Sequence, residues 1–182
     1  ESDKSPAPSC TVRKVKMASV IDQGDESETL PLSVAKVRAL VDNFIQYFND
    51  GEDLTPEEEA TGDQLTALDH RVQGGAAPYV DFAIWRPFAN RLNRQLKFVA
   101  YFPLPHGGVQ MKELAGPPNH IEWLKSWAVF KTAMQILKIA TRTKLDSYAA
   151  KIAALNADFP DMWWLIAMAD VRMRSEQFER LR

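Results

Sequence analysis

Residues 119–182 restrict what this chain can fold into more than any other stretch, because they read as three consecutive helices carrying four of its five tryptophans. Asn119 with Glu122 three positions on is a helix-start signal that satisfies orphan backbone N–H groups. Pro117 and Pro118 just before it stop any earlier helix from running through. From Ile121 to Ala140 thirteen of twenty residues are apolar, and Lys131, Gln135, Lys138 and Arg142 draw one narrow wet stripe. A helix wet along so thin a strip is a central one. Thr143 with Asp146 predicts the next start, with Leu145, Tyr148, Ala149, Ile152 and Leu155 on one face and Asn156 as a left-handed stop. Pro160, flanked by Asp158 and Asp161, predicts a last helix reaching about Arg180. It is apolar to Val171, after which its charged residues are expected to emerge from the core.

Asp170 interrupts that apolar run, where an unpaired carboxylate is costly. One reading is a structural ion pair with Arg174 a turn later, or with Arg142 across the bundle. The other is a functional acid with a raised pKa.

Upstream, Val34, Val37, Leu40, Val41, Phe44, Ile45 and Phe48 form an apolar stripe that begins after Ser33 and stops at Asn49-Asp50-Gly51. Thr55-Pro56-Glu57-Glu58 predicts a second helix, interrupted at Gly62, restarted by Thr61 with Gln64, and ended at Gly74-Gly75. Residues 79–85 suit either a short strand or a packed extended loop, and a short helix is expected from Pro87 to about Gln95. From Leu96 the apolar period falls to two, and the turn cluster Pro103 to Gly108 is answered by Val109, Met111 and Leu114. That predicts a β-hairpin, which must lie against the helices to be stable. The expected fold is mainly α: about six helices with one packed hairpin. Residues 1–29 are expected to be a disordered tail or linker. Residues 30–182 would form one helical domain, with an acidic helical part (30–77), an extended segment and hairpin (78–118) and a three-helix core (119–182).

Ordinary proportions, 46% hydrophobic and 25% charged, fit a globular chain. The lone cysteine, Cys10, allows no internal disulfide and no cysteine metal cage. No stretch approaches the roughly 20 uncharged apolar residues of a membrane helix, so no membrane role is expected. An intracellular location is expected, in no particular compartment. Because the chain opens with Glu and lacks a signal-peptide core, it is expected to be a piece of a longer reading frame. Charge is divided unevenly. Residues 1–70 hold 6 Lys+Arg against 15 Asp+Glu (−9), and residues 71–182 hold 16 against 9 (+7). The acidic run from Asp50 to Asp69 is a solvated face or a cover over the basic half.

Catalytic signatures are missing: no nucleophile elbow, phosphate loop or dinucleotide fingerprint occurs. His70, His106 and His120 fall on separate elements without metal-ligand spacing, and no cofactor is expected. The tryptophans lie on helical periods, which favours core packing over base stacking. The best candidate for nucleic-acid contact is Arg86, Asn90, Arg91, Asn93, Arg94 and Lys97, a combination that suits phosphates and base edges. The leading expectation is a non-enzymatic assembly module that self-associates through helix faces. A nucleic-acid-binding module is the alternative.

Three stretches carry a family likeness: Tyr79-Val-Asp-Phe-Ala83 with Pro87 and Arg91, Gly116-Pro-Pro118 with Trp123 and Trp127-Ala-Val-Phe130, and Ala169-Asp-Val-Arg-Met-Arg174. Together, over residues 78–182, they resemble an uncharacterised domain in mobile-element reading frames of unicellular eukaryotes, found where a retrotransposon Gag is expected. The resemblance implies a Gag-like structural role and no catalytic residues. A Gag zinc knuckle is absent from this sequence.

Overall fold

The computed structural model describes residues 12–21, 24, 26–90 and 95–177. The fold is mainly α, with five helices and two small antiparallel hairpins among the described residues. Helix α1 (Val34–Phe48) starts where Ser33 Oγ accepts from Lys36 N at 3.2 Å, and it stops at Asp50 and Gly51, both at positive φ. Helix α2 (Gly62–Gln73) is held by a capping box. Gln64 N donates to Thr61 Oγ1 at 3.4 Å, and Thr61 N donates to Gln64 Oε1 at 3.0 Å. The earlier start expected at Thr55-Pro56 yields only one turn, with Glu58 N and Glu59 N both donating to Thr55 O. Glu57 to Glu59 offer no apolar stripe to bury, so nothing offsets the cost of nucleating a helix there.

Strands β1 (Val15–Lys16) and β2 (Glu28–Thr29) overturn part of the expected tail. Val15, Met17, Val20 and Ile21 are core residues, and Asp81 N donates to Ile21 O. Arg13 pairs with Asp63 of the acidic run, a contact within residues 1–70 and not with the basic half. The sequence offers only the alternation of Val12 and Val15 within 11–16, enough for a transient strand, and nothing for the partner strand at Glu28–Thr29.

Helix α3 (His120–Ile136) is the central helix. Asn119 Oδ1 accepts from Glu122 N at 2.9 Å, and Trp123, Trp127, Val129, Phe130, Ala133, Met134 and Ile136 are buried. It ends short of Ala140 because Lys138 takes a left-handed φ of 57°. Ile139 N then donates to Met134 O and Lys138 N to Gln135 O, the paired bonds of a Schellman stop. Helix α4 (Arg142–Asp158) begins after Thr141, not Thr143, and runs through Asn156 to Phe159. A 3-10 turn at Pro160–Met162 leads into helix α5 (Trp163–Arg172), which continues as a π-helical turn, Met173–Gln177.

Residues 77–87 form the packed loop of the two readings left open; of the short helix expected from Pro87 to about Gln95, Phe88–Asn90 is a 3-10 turn and residues 91–94 lie outside the described residues. Val80, Phe82, Ala83 and Trp85 are buried without a ladder of strand bonds. A buried backbone must still satisfy its carbonyls, and side chains from three helices do so. Arg71 Nε donates to Ala77 O, Arg174 Nη1 to Val80 O, Ser126 Oγ to Phe82 O and Gln64 Nε2 to Arg86 O. Around this loop Phe82 meets Trp123, Trp127 and Phe130 edge-on at 5.8–6.3 Å.

The second hairpin joins β3 (Lys97–Pro103) to β4 (Val109–Ala115) in an unbroken register. Phe98, Ala100, Phe102 and Leu114 pack on the core, as their period of two predicts.

Candidate functional site

Asp170, the misfit of the sequence, is buried in an ion pair. Arg174 Nε lies 3.1 and 3.0 Å from its two carboxylate oxygens, and Nη2 lies 2.9 Å from Oδ2. Tyr148 Oη donates to Oδ1 at 2.8 Å. The carboxylate is thus fully engaged, and Arg174, expected to emerge into solvent, is completely buried. Burial alone lowers the Arg174 pKa; the Asp170 charge and hydrogen bonds more than reverse this, and the net shift is upward. Burial, reinforced by the Asp170 charge, raises the Tyr148 hydroxyl above its ordinary range. Arg142 is not a member of this group; it sits 3.6 Å from Asp146 on its own helix. Such a network ties α4, α5 and the 77–87 loop together, with every charge matched by a fixed partner. It presents no exposed acid.

The basic stretch is less available than its composition suggests. Arg86 donates to Glu122 at 2.9 Å, with its side chain only 15% exposed. Glu122 also takes Lys125 at 2.6 Å, and that hydrogen bond, with the two positive charges, holds its pKa below the usual value. Lys97 pairs with Glu113 across the hairpin at 3.3 Å. Asn90 is half-buried in the 3-10 turn, and Arg91, Asn93 and Arg94 lie outside the described residues.

The histidines stay apart: His70 is exposed on α2, His106 lies in the hairpin turn, and His120 is at the start of α3. Among the described residues, no group of three or more His, Cys, Asp or Glu is placed to hold a metal. No described helix is long and apolar enough to cross a membrane.

The surface that stands out is the outer face of the β3–β4 hairpin, which the sequence reading passed over. Register sets Tyr101 opposite Met111, Pro103 opposite Val109 and Val99 opposite Glu113. Side chains alternate faces, so these residues share one surface. Val109 is 62% exposed and Met111 70%. Beside them, Tyr101 meets Trp164 edge-on at 6.1 Å. A groove of about 240 Å³ continues from there, lined by Phe98, Tyr101, Trp163, Trp164, Pro118 and Asp161. Val99, Met111 and Val109 were legible as alternating strand residues. That they face water rather than core depends on which side of the hairpin the helices cover.

Comparisons with known protein families, with curated proteins and with solved structures return no match to this chain. Residues 79–83, 123–130 and 169–174 meet in space. Phe82 lies against Trp123, Trp127 and Phe130, and Arg174 bonds Val80 O. Their shared work in this chain is packing.

Proposed function

We propose that this chain is a non-enzymatic assembly module whose contact surface is the outer face of the β3–β4 hairpin. The observation that carries this is the contiguous exposure of Val99, Tyr101, Pro103, Val109 and Met111 on one sheet face. Contiguous apolar patches mark interaction surfaces, whereas scattered exposed apolar residues need no explanation. Helix faces, where self-association was first expected, are weaker candidates. Trp123, Trp127 and Trp163 are buried, and the exposed Val34, Tyr47, Phe48, Ile121, Leu124, Leu155 and Leu165 are divided over four helices.

Nucleic acid is not the partner we favour, since Arg86 and Lys97 are engaged by Glu122 and Glu113. A Gag-like structural role, the implication of the resemblance, points toward assembly as well. Sedimentation equilibrium over a wide concentration range tests the reading. Reversible association is expected, weakened by Val109→Asp with the thermal midpoint unchanged. A strict monomer at high concentration, with and without RNA, would sink it.

A further inference from the structure

The hairpin's backbone says more about the partner than its side chains do. Gly116 N donates to Leu96 O and Leu104 N to Gly108 O, which fixes the phase of the ladder at both ends. Between these ends, antiparallel alternation gives the mutual bonds to Phe98 with Leu114, Ala100 with Lys112, and Phe102 with Gln110. The N–H and C=O groups of Val109, Met111, Glu113 and Ala115 therefore point away from β3. On the far side of β3 lies α5, whose Trp164 touches Tyr101. The far side of β4 has no strand beside it among the described residues. No proline or bulge blunts this edge, and β4 is exposed at every position but Leu114.

We propose that β4 pairs antiparallel with β4 of a second copy about a two-fold axis at Met111, making one four-stranded sheet. This rests on the assembly reading and adds its geometry. Charge selects the register. An axis at Lys112 would set Lys112 against its own copy, and an axis at Glu113 would do the same with Glu113. An axis at Gln110 brings the Gly107-Gly108 turn into the pairing and shortens it. With the axis at Met111, Val109 faces Glu113 of the other copy, Gln110 faces Lys112, and no like charges oppose each other. The outer face then carries a row of Tyr101, Met111, Met111 and Tyr101, in which thioethers lie between two aromatic rings. Strand addition of this kind draws on main-chain bonds for affinity and on alternate side chains for register.

Charge reversal at the axis tests it. Met111→Lys and Met111→Glu are solvent-facing changes, so both variants should fold as the wild type does, which circular dichroism checks. Each alone should associate at least about tenfold more weakly than the wild type, because like charges meet at the axis. An equimolar mixture of the two should recover association at low salt, seen by sedimentation velocity. If the wild type associates and the variants match it, or if the mixture stays as weak as its components, the Met111 axis is wrong while the assembly reading stands. If the wild type is monomeric throughout, both fall.

Discussion

The guanidinium carbon of Arg174 sits 3.7 Å from the centroid of the Phe82 ring. One face of the ion is thus covered by an aromatic, while its edges bond Asp170 and Val80 O. Breaking a buried pair from one side strands the other charge, which costs about 3–5 kcal/mol. Arg174→Met and Asp170→Asn are each expected to lose about that much in urea unfolding. Arg174→Lys should not rescue, since an ammonium lacks the planar fork that serves the carboxylate and the carbonyl together. The double variant Asp170→Leu/Arg174→Met should cost clearly less than the sum of its singles. Additive losses would show that the pair is not a unit.

Gly116 is the residue where the hairpin leaves the core. Its φ is +149°, and a Cβ built there would come within 2.7 Å of Phe98 Cε1. Phe98 is 8% exposed at the edge of the groove, so its ring can relieve the contact only by giving up part of its packing on the core. Gly116→Ala should destabilise by about 1–3 kcal/mol, from strain at a conformation that L-residues avoid. Gly107→Ala, where a Cβ meets nothing, isolates the backbone part of that penalty. Equal losses at the two sites in thermal unfolding would remove the steric part of the argument.

Met17 tests whether the N-terminal segment belongs to the fold. It is 1% exposed and its N–H donates to Ser27 O. Met17→Ala should cost about 2–5 kcal/mol by opening a cavity. Val12→Ala, on the exposed side of the same segment, should be near neutral. If both are neutral in urea unfolding, the segment contributes nothing to stability.

Lys138 holds a left-handed conformation that closes α3. Glycine adopts it without the Cβ penalty of about 1–2 kcal/mol. Lys138→Gly should therefore stabilise by about 1 kcal/mol, read from the denaturation midpoint. A loss would mean that the side chain contributes more than the strain removes.

These residues also mark where the sequence was readable. Ser33, Thr61 and Asn119 announced helix starts because capping is local: a side chain bonds a backbone N–H three residues on. The period of two from Leu96 likewise reported the hairpin, and the apolar run after Asn119 reported the central helix. Stops were harder, since Lys138 takes a position usually given to glycine and no composition signals it. Thr55 carried a start signal with no apolar face behind it. The pairing of Arg174 with Asp170 was legible from their spacing of four, but its complete burial was not, because a charged residue at a helix end normally faces water. The Val80 carbonyl, ninety-four positions away, and the Phe82 ring hold it inside, and neither is visible in the local sequence. The candidate contact face was hidden for the same reason: alternation shows that a strand has two faces, not which of them the helices cover.

His120 supplies a pH test of the aromatic core. Its ring stacks on Trp123 at 5.9 Å, lies 5.8 Å from Trp163, and has a buried Nε2 with no hydrogen-bond partner. Desolvation lowers its pKa below the ordinary 6.5, and the positive end of the α3 dipole opposes a charge there too. In the unfolded chain the imidazole takes up its proton near 6.5, while in the fold it stays neutral to lower pH. Between those two values the unfolded state binds more protons, so stability falls as pH drops below 6.5 and levels off once the folded His120 titrates. Glu122, whose pKa is also lowered, adds its own loss only at more acid pH, below its ordinary 4.5. Urea unfolding at about pH 7.5 and about pH 5.5 separates the two windows. The wild type should lose stability between them, and His120→Phe, which keeps a ring beside Trp123, should lose less. An equal loss in both proteins would place the acid sensitivity elsewhere.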